Sequence, residues 1–193
     1  MTEPVEFAVD LFWIPLGAGG SPLVRWSGRA FEALVARKER RTPQRLFHSA
    51  LQVYVDRVRH VIEMTPVWGH PPVDRGVVLE GPVGARSLGV SRLFRYEVHC
   101  WPDGVIPDLD FAEDSPQRLS STPPAARAVL DLASSFPART WGRDELHTGE
   151  MWNSNSLTSW LLARSGHATD TLSPPDHGRA PGWNAGLVVA SRA

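Results

Sequence analysis

Two runs of β-branched and aromatic residues, Leu46 to Val55 and Val58 to Pro66, flank the pair Asp56-Arg57. Strand formers on both sides of a two-residue gap predict a β-hairpin. In that register Val55 opposes Val58, and counting back sets Ala50 against Glu63 and His48 against Thr65. Side chains alternate along a strand, so His48, Ala50, Glu63 and Thr65 share one face, with Glu63 diagonal to His48 and His60 on the opposite face.

A second pattern, in Met151 to Leu162, has helical spacing: Ser154, Leu157, Thr158 and Leu161 fall on one face, which predicts a buried helix side. Asn153 is a suitable cap for its start, and Gly166 for its end. Elsewhere the pattern predicts strands at Phe7 to Ile14, Val77 to Glu80 and Leu93 to Trp101. In the last of these, Phe94, Tyr96, Val98 and Cys100 face inward, while Arg95, Glu97 and His99 face water. A helix is expected from Ser27 to about Arg41 with Phe31, Leu34 and Val35 inward, and another opening at Thr122-Pro123 with Val129, Leu130 and Ala133 inward. Residues 15–20, 68–74 and 107–121 read as loops, with His70 exposed in the second, and Gly186 to Ala190 as a short last strand. The fold class expected is α+β, an antiparallel sheet against a helix that carries Ser154.

Composition narrows the classes of function. A chain of 193 residues with 42% hydrophobic content has enough apolar surface for one sizeable core, so one domain spanning 1–193 is expected. Twenty basic and 21 acidic residues give a net charge of −1 and no global basic excess for nucleic acid. The local run Arg37 to Arg41 reads as a solvated helix end. One cysteine forms no internal disulfide, the first residues lack the pattern of a signal peptide, and no run reaches the length of a membrane span. A cytoplasmic protein is expected. Seven histidines and one cysteine show no metal-ligand spacing, so no metal or cofactor is expected. Cys100, on an apolar face, reads as an inert core thiol.

The chemistry suggested by these elements is nucleophilic. Ser154 lies in a helix first turn, where free N–H groups and the helix dipole favour an oxyanion, and His48 with Glu63 supplies a base and its partner. Asn153, Asn155 and Gln52 are candidate additional donors to an oxyanion; read blandly, Ser154 and the asparagines are only caps.

His48-Ser49-Ala50-Leu51 followed by Val61 to Pro66, and later Asn153-Ser154-Asn155-Ser156, resemble the histidine strand, return strand and nucleophile helix of the circularly permuted papain-like clan. That clan includes the lecithin retinol acyltransferase-like proteins and the PPPDE peptidases. The resemblance covers roughly residues 45–66 and 150–166 and departs at one position, since serine stands where the clan has its nucleophilic cysteine. It implies a papain-like fold and acyl transfer from an amide, ester or thioester to water or another acceptor, with a small-molecule, acyl or peptide substrate. Two alternatives stay open. One is an inactive relative that serves as a binding or scaffold module; the other is an interaction domain that presents its eight tryptophans.

Overall fold

The computed structural model describes residues 5–18, 32–67, 76–106 and 108–192. Its centre is a six-stranded antiparallel sheet in the order β4-β5-β3-β2-β1-β6. The strands are β1 (Ala8–Pro15), β2 (Phe47–Val55), β3 (Val58–Pro66), β4 (Val77–Pro82), β5 (Arg95–Pro102) and β6 (Glu113–Ser120). Helical residues 32–39 form α1; α2 (Pro123–Leu132), α3 (Ser154–Arg164) and α4 (Trp183–Ala190) follow. The expected α+β class and antiparallel sheet are therefore present.

The sheet sorts its residues by strand parity. Val9, Leu11, Trp13, Phe47, Leu51, Val53, Ile62, Met64, Tyr96 and Val98 turn to one side, where α2 and α3 cover them. On that side Trp152 stacks on Phe136 with ring centroids 4.8 Å apart, and Trp160 meets the same ring edge-on at 5.7 Å. Phe12, Ile14, Ala50 and Val61 turn the other way and pack with Ile106. This second side also buries polar groups, among them Asp10, Gln52, Glu97 and His99. Asp10 is held by a two-pronged pair with Arg118, whose Nε and Nη2 donate at 2.8 and 2.7 Å.

The β2–β3 hairpin forms in the expected register: Val55 faces Val58, and the pairing runs to Leu51 and Ile62. Asp56 and Arg57 both take positive φ, 51° and 67°, the mirror-image turn whose twist matches two strands joined by two residues. Past Leu51 the two strands part. Glu63 and Thr65 go on pairing with His99 and Glu97 of β5 along the other edge of β3, but toward β2 the ladder ends at Leu51 and Ile62, so the expected pairings of Ala50 with Glu63 and His48 with Thr65 are not made. His60 pairs with Val53 and so turns to the helix-covered side, away from His48, as alternation requires.

Several local expectations are corrected. Residues 113–120, read as loop, form β6, because β1 supplies a backbone partner that a polar sequence does not advertise. The last apolar run is a helix, not a strand, since α4 packs closely on α3. A Cβ at Gly186 would stand 2.1 Å from Ser159 Oγ, which shows how near the two backbones come. In α1 Leu34 is 71% exposed, whereas Glu32 is buried beside Arg41 and Arg179 and accepts the Gln44 N–H. Charge pairing across the chain, not the apolar stripe, sets the orientation of that helix. Ser27, Phe31, His70 and much of the two early loops lie outside the described residues. None of the six described tryptophans is exposed, which removes the basis for a tryptophan-lined interaction surface among them.

Candidate functional site

The α3 helix begins where the sequence places it. Asn153 is its N-cap, and the side-chain oxygen accepts from the N–H groups of Asn155 and Ser156 at 2.9 and 3.4 Å. Ser156 Oγ accepts in return from Asn153 N–H at 3.1 Å, completing a capping box. With those donors engaged, Ser154 N–H is the one in the first turn with no acceptor among the described residues. Ser154 itself is 8% exposed, and its Oγ makes no hydrogen bond among the described residues. A hydroxyl thus stands beside an uncommitted N–H at the positive end of an eleven-residue helix.

What brings this helix start to the sheet is the parting of β2 and β3. Beyond Leu51 the β2 backbone has acceptors that β3 no longer meets, and α3 meets them. Asn155 Nδ2 donates to Phe47 O at 3.0 Å, and Thr158 Oγ1 donates to Ser49 O at 3.4 Å. Ser49 Oγ donates to Asn155 Oδ1 at 2.9 Å. The residue after Ser154 is therefore bonded to both chain neighbours of His48. The start of α3 is thereby bonded to the strand on either side of His48, and no hydrogen bond joins Ser154 to His48 among the described residues. His48 leaves the strand toward the side opposite its neighbours, and it is half-buried.

Burial pulls the His48 imidazole down to about 4, so the ring is neutral over the physiological range. Glu63 is pushed up to about 7, first by burial and then by the nearby charge of Asp108. An ion pair between His48 and Glu63 moves each group the other way, so the two shifts describe separately buried groups. The β2–β3 ladder stops one residue short of Glu63, at Ile62, and Glu63 pairs with His99 of β5 on the other edge of its strand. Of the expected triad, His48 and Glu63 share the side of the sheet that faces away from α3, and no hydrogen bond joins His48 to Glu63 or to Ser154 among the described residues.

The expected oxyanion donors are otherwise engaged. Asn153 Nδ2 donates to Pro181 O at 2.8 Å, and Asn155 Nδ2 is shared between Phe47 O and Pro181 O. Gln52 lies on the His48 face, but four residues along an extended strand is about 13 Å, and it is buried between Asp10 and Val61 on the neighbouring strands. All three are better described as structural, and the Ser154 N–H is the donor left free at the start of the helix.

Three polar features were not read from the sequence. Glu97 and His99 were expected to face water; instead they are buried, with His99 Nε2 2.9 Å from Glu97 Oε2. Their alternation with apolar residues was visible, but alternation alone does not tell whether the second face of an antiparallel sheet is covered. Glu150 caps α4, accepting the N–H groups of Gly182 and Asn184 at 2.8 and 3.1 Å. Gly182 holds φ at 90°, and a Cβ there would stand 2.3 Å from Asn153 Oδ1, so the cap of α3 and the start of α4 are fitted to each other.

Cys100 is half-buried on the helix-covered side, and burial pushes its thiol up to about 11. That suits an inert thiol. No group of three or more acidic, histidine or cysteine side chains suited to a metal ion occurs among the described residues. No helix among them is long and apolar enough to cross a membrane. Comparison of the chain with protein-family models, curated proteins and solved structures finds no match.

Proposed function

We propose that the chain is an acyl-transfer enzyme of permuted papain-like type, a hydrolase or transacylase acting on an amide, ester or thioester, with Ser154 as nucleophile and His48 as base. The observation that carries this reading is the clasp made by Asn155, which ties the residue next to Ser154 to both neighbours of His48. Ser154 Oγ attacks the carbonyl carbon and its proton passes to His48. The carbonyl oxygen becomes an oxyanion at the Ser154 N–H and the helix N-terminus. As the intermediate collapses, His48 returns the proton to the leaving group and an acyl-Ser154 remains. Water or another acceptor then attacks that ester, again giving its proton to His48. The negative charge that develops beside the ring raises its proton affinity during attack, which offsets the low resting value. Glu63 is not needed in this scheme.

A second reading, a non-catalytic binding module of the same fold, is favoured by one observation: a histidine held at about 4 with no charged partner is a weak resting base. Turnover of a panel of activated esters and thioesters by the parent, Ser154→Ala and Ser154→Cys separates the two. The enzyme reading expects an active parent, an inactive Ser154→Ala and a slower Ser154→Cys, whose larger sulfur disturbs the alignment. A silent parent whose Ser154→Cys variant becomes thiol-reactive supports the decayed relative. Three proteins that behave alike make Ser154 a helix cap only.

A further inference from the structure

The last turn of α3 and the end of β6 enclose a cleft of about 400 Å³ whose walls include Arg118, Ser120, Ala125, Ser165, His167 and Thr171. It lies at the other end of α3 from Ser154. Gly166, with φ at 81°, ends the helix: its N–H donates to Ala163 O at 3.2 Å and the His167 N–H to Leu162 O at 2.9 Å. This closure fixes the backbone on which the His167 ring is carried. The ring lies between two hydroxyls, with Nε2 3.1 Å from Ser120 Oγ and Nδ1 2.8 Å from Ser165 Oγ.

The proton inventory of these groups has one arrangement that satisfies every contact. Ser165 Oγ stands 2.7 Å from Leu161 O and 3.1 Å from Leu162 O, and carbonyl oxygens only accept. The single Ser165 proton therefore goes to the carbonyls, and Ser165 Oγ accepts from His167 Nδ1–H. Nε2 then carries the lone pair and accepts from Ser120 O–H. A serine hydroxyl that donates to an imidazole, whose other nitrogen donates to an oriented acceptor, is the arrangement that activates a nucleophile.

We propose that Ser120 and His167 form a second nucleophile–base pair, positioned by Ser165 and open to a small ester or other activated acyl compound. Burial lowers the proton affinity of His167, which keeps the ring neutral and receptive. When the ring takes a proton, the Leu161 and Leu162 carbonyls and the negative end of α3 favour the imidazolium. The cleft also presents donors. Arg118 uses Nε and Nη2 on Asp10, and its Nη1 has no partner among the described residues. Pro123 and Pro124 have no N–H and Thr122 makes no side-chain cap, so Ala125 brings the first free N–H of α2 to the wall. In the reaction Ser120 Oγ bonds to the acyl carbon, its proton moves to His167 Nε2, and the departing alcohol takes that proton. Water then cleaves the acyl-Ser120 ester, restoring the hydroxyl.

A fluorophosphonate probe followed by trypsin and mass spectrometry tests this directly. An adduct on Ser120 appears in the peptide from Leu119 to Arg127, whereas one on Ser154 appears in the peptide from Asp144 to Arg164. Labelling at Ser120 is expected in the parent, with none in Ser120→Ala and a fall of about 100-fold in His167→Gln. Ser165→Ala, which removes only the positioning contact, is expected to slow labelling by about 10-fold and to shift its pH profile. ¹⁵N spectra of the parent should show His167 protonated on Nδ1, a readout that does not depend on any variant folding. An unlabelled Ser120, equal rates in a folded His167→Gln, or a proton on Nε2 overturns the proposal.

Discussion

The two ends of α3 differ in how a serine stands to a histidine. At the start, the neighbours of Ser154 and His48 are hydrogen-bonded while the pair itself is not, and the helix dipole supports a negative charge. At the end, Ser120 and His167 touch directly, and the dipole supports the positive partner. A helix start therefore favours the oxyanion and a helix end favours the imidazolium. Which charge the scaffold supports separates the two sites more sharply than which residues they contain.

The largest effect is expected from breaking the clasp at the first end. Asn155→Asp replaces the amide donor with an oxygen that faces the carbonyls of Phe47 and Pro181. Burying that mismatch is expected to cost about 3 kcal/mol, a fall in Tm on the order of 10 °C by calorimetry, and to abolish turnover with it. An unchanged Tm removes the clasp as the element that seats Ser154. Glu63→Gln is expected to act on stability and not on turnover. Glu63 has a folded pKa near 7 against an unfolded value near 4.5, so its stabilising contribution is complete below about pH 4.5 and is lost as pH rises to 7. Denaturant titrations of the parent should show a loss on the order of 2–3 kcal/mol across that window, flattened in Glu63→Gln. A large loss of turnover with no change in that profile restores Glu63 to the triad. The smallest effect belongs to Cys100→Ala: a stability loss of about 1 kcal/mol, with turnover intact. A folded but inactive variant makes the thiol part of the chemistry.

The parts of this molecule that were readable from the sequence are the local ones. The hairpin register follows from a two-residue loop between strand formers, and the start of α3 from Asn153, whose cap bonds reach no further than Ser156. The point where β3 leaves β2 was not readable, because Asn155 and Thr158 of α3, far away along the chain, take up the β2 acceptors there. Extending the hairpin count past Leu51 therefore gave Glu63 a β2 partner that the ladder does not reach. Glu97 and His99, whose alternation alone looked half-exposed, lie on the side of the sheet away from α3 and are buried there. Leu34 failed for the reverse reason: ion pairs from Arg41 and Arg179 turned Glu32 inward. Ser120 and His167, 47 positions apart, carry no shared motif; only a glycine after the helix marked the neighbourhood.

The claim that Ser154 is a nucleophile served by His48 is tested most directly by the rate of acyl-probe attachment to Ser154 as a function of pH, followed on the peptide from Asp144 to Arg164. The neutral imidazole is the active form, so the parent should lose rate only as pH falls through about 4, and His48→Gln should be slower by about 100-fold at neutral pH. Attachment at the same rate in both proteins, or none in a folded parent, contradicts the account.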